Sequence, residues 1–446
     1  MTRLTHGLRT TFVALEERNF RLFFFGQLVS TTGSWMQMVA QSWLVLELTG
    51  SGTMLGLVMA LQWTPLLLFG AWGGVLADRY DKRKLILAME TIAGLLALGL
   101  GLLVLTDVVS FWMVLVVAGM LGCTQAIEQP ARQSFVSELV GPERLTNALS
   151  LCGLLINVGR LLGPAIAGLV IAVAGVPYCF LLNAATYVPA VTTLALISSR
   201  SLYKGARAQR AKGQLTEGLR YVRRTPALWV PLLMMLAIGT FTYEFQITLP
   251  LLTSDTFGVD AAAYGLMQTM LGAGAIVGGI WVARRSVPTN AMLTGSAAVF
   301  GLIVLALSVA PTYLVAMVIV PFQGAANITF STLANSSMQL SSASAMRSRV
   351  MALFSMAWVG TTPIGGPIVG WIAQTWSPRW ALALGAFAAI GAAGLAWARL
   401  RHEPDPSTGL LEHHLVPDAE PAEPSELVDP SAGTDNGAAA LRPQVA

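Results

Sequence analysis

Gly74-Val75-Leu76-Ala77-Asp78-Arg79-Tyr80-Asp81-Lys82-Arg83-Lys84-Leu85 is the most informative stretch of this 446-residue chain. One acid, Asp78, closes an apolar run, and Arg79, Lys82, Arg83 and Lys84 follow it. The flanking apolar runs, near 53–77 and 85–106, are each long enough to cross a bilayer. A core about 30 Å thick takes about 20 mostly apolar residues in a helix. The stretch is therefore expected to be a short turn between two membrane helices, its bases held at the membrane surface. Gly73 and Gly74 let the second span pack closely on a neighbour. Asp78 can accept hydrogen bonds from another helix's N-terminus or pair with a nearby Arg. Such a contact, made in one conformation and broken in another, is what a gate requires. The same residues also fit an ordinary basic anchor.

The composition agrees with a membrane setting. Only 11% of the chain is charged, 54% is hydrophobic, 43 residues are glycine and mean hydropathy is +0.64. So little charge cannot cover a large soluble surface, which argues against a soluble enzyme, a nucleic-acid binder or a disordered protein. Cys123, Cys152 and Cys179 all lie in apolar runs and form neither a CxxC pair nor a disulfide framework.

A span-length scan gives twelve candidates, near 20–46, 53–77, 85–106, 109–131, 146–174, 177–198, 227–251, 262–283, 288–309, 312–336, 347–375 and 379–400. The expected fold is an all-α polytopic membrane protein: a short segment 1–19, a six-helix half 20–198, a basic linker 199–226, a second six-helix half 227–400 and a tail 401–446. The first span follows Arg18 and Arg21 without a cleavage pattern and reads as an anchor. The tail is rich in Pro, Ala and Glu and reads as an acidic, disordered cytoplasmic extension. With the N-terminus inside, the inward segments carry 24 Lys and Arg and the outward loops carry one, Arg379. That bias predicts two cytoplasmic termini and supports an even number of crossings.

The two halves resemble each other. Gly159, Gly163, Pro164 and Gly168 in span 5 have a counterpart in Gly366, Pro367 and Gly370 of span 11, and the two Gly-Pro pairs lie 203 residues apart at equivalent places. Parallel repeats of this kind put substrate near mid-membrane, between the halves.

A charge at depth costs at least about 2.5–3.5 kcal/mol, so each needs a partner or a task. Arg160, near the middle of span 5, reads as a contact for an anionic substrate group, a tuner of a proton-carrying acid, or a structural partner for a buried acid. Glu244 lies in the outer half of span 7. A carboxyl in apolar surroundings can hold a proton near neutral pH and release it once hydrated, as coupling requires, although a position at the wet lip fits the sequence too. Glu128 and Arg132, at i and i+4 with the acid first, suit an intrahelical pair. Glu90, a turn into span 3, reads as snorkelling or pairing with Lys84 or Arg83. Span 1 has no acid between Arg21 and Glu47, which moves the coupling expectation to Glu244 or Glu128. Gln37, Gln62 and Asn157 are costly in lipid and are the best cavity candidates. Trp35, Met36, Met38 and Trp43 of span 1, Met59 and Trp63 of span 2, and Met234, Met235, Phe241 and Tyr243 of span 7 offer adaptable apolar walls, although most of them equally fit contacts with lipid or neighbouring helices.

The 74–85 stretch resembles the hallmark loop of the major facilitator superfamily, Gly-x-Leu-Ala-Asp-Arg-x-Gly-Arg-Arg/Lys, with Gly74, Leu76, Ala77, Asp78, Arg79 and Arg83 matching and Asp81 in place of the second Gly. Leu44–Ser51, Gln129–Gln133 and the span 5 glycines resemble the bacterial branch that holds the enterobactin exporter and macrolide efflux pumps. Gly159, Gly163, Pro164 and Gly168 are also similar to the antiporter motif of drug exporters, with Ala167 replacing one Gly. The resemblance implies a twelve-helix transporter, a gate in which Arg132 reaches Asp78 between helices 2 and 4, and proton-driven export of a small amphipathic molecule such as a drug, siderophore or secondary metabolite. A monomer is the usual expectation for that family. An uptake symporter of the same fold is the alternative, and a sensor that kept the carrier fold is a further one. All four histidines lie in the terminal segments, no HExxH occurs and no Gly-x-x-x-x-Gly-Lys-Ser/Thr loop is present. No enzyme activity, cofactor or ATP use is expected. The expected partners are the lipid bilayer, a small-molecule substrate and protons, with no nucleic acid.

Overall fold

A computed structural model describes residues 12–198, 202–203, 214–284, 288–343 and 346–406. Residues 199–201 and 204–213 of the basic linker and 407–446 of the expected acidic tail fall outside these residues. Helices make up nearly all of the rest, and no strand occurs among the described residues.

The first half holds α1 (Arg18–Thr49), α2 (Gly52–Arg79), α3 (Lys82–Leu105), α4 (Phe111–Leu139), α5 (Leu145–Val173) and α6 (Val176–Leu196). A short helix, α7 (Gln214–Arg224), lies in the connection. The second half holds α8 (Pro226–Phe241), α9 (Phe245–Leu251), α10 (Ala261–Ala283), α11 (Asn290–Ser308), α12 (Tyr313–Leu340), α13 (Arg347–Val359), α14 (Thr362–Thr375) and α15 (Pro378–Leu400). The pairs α8–α9 and α13–α14 each run on as one interrupted span, and the first of them extends to Thr256 through a widened turn.

Among the described residues, eleven stretches are long and apolar enough to cross a membrane. Helix α1 has 32 residues but is not among them. Gln27, Ser30, Gln37, Gln41 and Ser42 dilute its apolar character, and all five are buried. The side chains that lower its hydropathy are thus spent on contacts inside the bundle.

Local chemistry sets the helix ends. Ser51 Oγ accepts from Met54 N–H (3.2 Å) at the start of α2, and Asp81 Oδ1 accepts from Lys84 N–H (3.1 Å) at the start of α3. Asp81 therefore serves as an N-cap where the family loop has glycine. Gly50 stops α1 with φ +58°, a conformation that favours glycine. Trp72, Leu95, Trp112, Leu169, Val188 and Leu314 are exposed on the outside of the bundle, where a bilayer would solvate them.

In the first half, α1 packs on α5 and α6, α2 on α4, and α3 on α6. In the second, α10 packs on α12 and α11 on α15. The halves meet along α2 with α14 and along α5 with α10. At these crossings backbone lies on backbone. A Cβ built on Gly56 would sit 2.3 Å from the Gly366 carbonyl oxygen, one on Gly370 2.2 Å from the Gly52 oxygen, and one on Gly265 2.6 Å from Gly168 Cα. At the same end, Ser51 Oγ donates to Gln374 Oε1 (2.6 Å) and Trp43 stacks on Tyr264 with ring centroids 6.4 Å apart. Toward the opposite end a cavity of about 400 Å³ opens between α4, α12 and α13, lined by Gln129, Asn335, Phe354 and Trp358 among others. The halves are closed at one end and parted toward the other.

Candidate functional site

Three polar clusters lie inside the bundle. The first joins α1, α3 and α4. Glu90 is 1% exposed, and its carboxylate accepts from Gln27 Nε2 (2.7 Å) and Ser30 Oγ (3.0 Å). Gln27 Oε1 accepts in turn from Arg132 Nη1 (3.0 Å), whose guanidinium lies 3.4 Å from Glu128 Oε1. Glu128, Arg132, Gln27 and Glu90 thus form one chain of charge-assisted contacts, with Gln27 as the relay. Glu90, Glu128 and Arg132 border a cavity of about 220 Å³, whose apolar walls include Trp35, Met38 and Trp63. The expected i, i+4 pair is present, but Arg132 also reaches across to α1. Neither snorkelling nor pairing with Lys84 or Arg83 describes Glu90, which faces inward. Sequence reasoning passed over Gln27 altogether. The available signal was an ionisable residue alone in one apolar span and an amide in another, which calls for an intramembrane partner.

The second cluster is at the crossing of the halves. Arg160 lies over the Trp35 ring at 5.5 Å, and no acid lies within ion-pair distance of it among the described residues. A cavity of about 50 Å³ beside it is lined by Trp35, Met38, Tyr243, Gln246 and Gln268 with others. The Tyr243 hydroxyl is buried and has no hydrogen-bond partner.

The third is Glu244, 3% exposed, at the break between α8 and α9. Its Oε1 is buried without a hydrogen-bond partner. A Cβ built on Gly365 would lie 3.1 Å from that oxygen and 2.1 Å from the Thr240 carbonyl oxygen. The break at 242–244 is thus pressed against the start of α14, just past the break at 360–361. Glu244 is buried among helices and does not stand at a wet lip.

The remaining candidates are distributed as follows. Gln37 accepts from Asn183 Nδ2 (2.5 Å), tying α1 to α6, and Gln62 accepts from Gln41 Nε2 (2.8 Å), tying α1 to α2. Both are buried fastenings between helices, and neither borders the cavities described above. Asn157 donates to the Gly153 carbonyl one turn back on α5 (3.0 Å). Asp78 and Arg79 are exposed, and the contact of Asp78 with Arg132 is not made in this conformation. Arg83 turns to the end of α6, donating to the carbonyls of Leu194 (2.7 Å) and Ala195 (2.5 Å), while Lys82 pairs with Glu138 of α4. Gly74 is buried near the end of α2. In the glycine motif, Cβ atoms on Gly159 and Gly163 would strike Thr31 and Trp35 of α1, while Gly168 faces Ala262 and Gly265 of α10. The motif with Pro164 therefore has two faces, one within its half and one toward the other half. Gly366, Pro367 and Gly370 do the equivalent work against Gly52 and Gly56.

Comparison with known proteins fits this architecture. The family model described as transmembrane secretion effector matches residues 9–419. The chain belongs to that family of the major facilitator superfamily. It is 27% identical over 262 residues to the staphyloferrin A transporter of Staphylococcus aureus, a match covering 58% of this chain and 65% of that one. It is 26% identical over 364 residues to the enterobactin exporter of Shigella flexneri, covering 80% and 86%. Its fold is similar to that of a bacterial homologue of the human lysosomal transporter Spinster, solved in an inward-facing, unoccupied conformation. That comparison has a TM-score of 0.66 and 14% identity, and covers 88% of this chain and 97% of that one. The family and its relatives are transporters.

Proposed function

We propose that this chain is a secondary transporter of the cell membrane that exports a small amphipathic molecule by alternating access, with protons as the coupling ion. One observation carries the reading: two helical halves are sealed backbone to backbone at one end and parted by a cavity toward the other, with a charged network inside the first half. The names of the two relatives, a staphyloferrin A transporter and an enterobactin exporter, support transport of a small molecule, and the second supports the outward direction.

In this reading α1 is the twelfth crossing, and segments 1–19, 199–226 and 401–446 face the cytoplasm, where the 24 basic residues belong. The conformation is then inward-open. Asp78 and Arg79 stand apart from Arg132 because they meet it only when the cytoplasmic end closes. Closure would draw Arg132 from Gln27 and Glu128, so gate and network compete for one guanidinium. Glu244, with a partnerless oxygen between two interrupted spans, is the proposed coupling carboxyl, and Glu128 with Glu90 the second proton-accepting pair. A complete pathway within one chain suits a monomer.

The test is transport by the full-length protein in inside-out vesicles with a pH gradient of either sign and a panel of labelled compounds. Acid-inside vesicles should accumulate substrate, and Glu244→Gln should remove the dependence on the gradient. Accumulation only with the opposite gradient would replace export by uptake. Unchanged gradient dependence in Glu244→Gln would remove that residue from coupling.

A further inference from the structure

Arg160 is the one intramembrane charge that the transport scheme above does not use. A guanidinium at mid-membrane is costly and is normally met by an acid or by several acceptors. Here it has neither among the described residues, only the face of Trp35 at 5.5 Å. A second polar group beside it is also unmet: the Tyr243 hydroxyl is buried, lines the same cavity and has no partner. Gln246 and Gln268 add amides to that lining. Every strongly polar group in this place can donate, and none is an anion.

The space fits a small head group. About 50 Å³ is more than a single water requires and suits a carboxylate. Trp35 and Met38 line both this cavity and the 220 Å³ cavity of the first half, so an apolar body attached to the head could run along them. The place also bears on the cycle. Arg160 and Trp35 belong to the first half, Tyr243 and Gln246 to the second, and a Cβ on Gly272 of α10 would lie 2.9 Å from the Arg160 carbonyl oxygen. A ligand seated there would bridge the two halves where they cross.

We propose that Arg160, Tyr243 and Gln246 form a seat for an anionic, carboxylate-like head group of the transported molecule, whose apolar body lies along Trp35 and Met38. This names the substrate class for the exporter reading and rests on it only in calling the ligand transported. An anion bonded to Arg160 and to the Tyr243 hydroxyl gains an ion pair and an O–H···O⁻ bond, where a neutral analogue of equal size has only weaker bonds to a neutral oxygen and a cationic one meets repulsion.

The experiment is binding of three size-matched probes, 4-phenylbutyrate, 4-phenylbutanamide and 4-phenylbutylamine, to the purified full-length protein in detergent, by calorimetry without any gradient. The carboxylate should bind at least about tenfold more tightly than the amide or the amine. Arg160→Gln should erase that preference, Arg160→Lys should keep part of it, and Tyr243→Phe should weaken carboxylate binding about fivefold and amide binding by less. Equal affinity for all three probes in the native protein, or no binding of the carboxylate up to about 10 mM, would overturn the proposal. If Arg160→Gln does not fold, Tyr243→Phe removes only a hydroxyl, and unchanged carboxylate affinity in that variant overturns it as well. Carboxylate-selective binding without gradient-driven export would sink the exporter reading and leave the seat standing.

Discussion

Gly56→Ala is the perturbation that probes the seal between the halves most directly. The added methyl would start 2.3 Å from the Gly366 carbonyl oxygen, where contacts under 3.0 Å are essentially never seen. The obstacle is backbone, so no side chain can swing away, and α2 must part from α14 by about 1 Å to restore ordinary contact. Overpacking of this kind costs about 1–3 kcal/mol. Alanine meanwhile improves the helix propensity of α2 by up to about 1 kcal/mol, so a loss cannot come from the helix itself. The cost falls only on the conformation closed at this end, and the equilibrium should move toward the opposite one by roughly 5- to 150-fold. Spin labels at Leu48 and Trp376, both exposed at the sealed end, report the change as a longer distance in double electron–electron resonance. Cys123, Cys152 and Cys179 must first be replaced. Gly99→Ala is the control, because nothing lies within 4 Å of its built Cβ. Identical distance distributions for native and Gly56→Ala proteins would refute the reasoning.

Two further substitutions test separate parts. Asp78→Asn should abolish transport while leaving insertion and the present conformation intact, since Asp78 is exposed here; full activity in vesicles would remove its gate role. Arg83→Ala should destabilise the first half by about 1 kcal/mol through loss of the bonds to Leu194 and Ala195 at the α6 terminus. An unchanged thermal transition would show those bonds to be of no consequence.

Much of the fold was legible because each feature rests on local chemistry. Apolar runs of span length give the helices, and the matched Gly-Pro pairs mark where the halves touch. The polar interior was harder to read. Gln27, Glu90 and Arg132 lie 63 and 105 residues apart in the chain, and only packing brings them together. Nothing local to Glu90 distinguishes an inward carboxylate from one that snorkels. Gln37 and Gln62, expected to line a cavity, are bonded to other amides between helices, because an amide's need for partners is met equally by a cavity or by another amide. The breaks at 242–244 and 360–361 also escaped notice. Thr-Tyr-Glu reads as ordinary helix, whereas Gly360 followed by Pro363 at the start of α14 is a stop-and-start signal that the span-length reading ran across.

These two breaks make the halves unequal as mechanical parts. The first half consists of uninterrupted helices, with Pro65, Pro130 and Pro164 absorbed inside them. The second has two jointed helices whose joints touch, through Gly239 on Thr361 and Gly365 on Thr240. Neither joint can bend without pushing on the other. Rotation of the first half as a stiff lever would therefore be answered in the second by a paired elbow, and Glu244 sits inside that elbow.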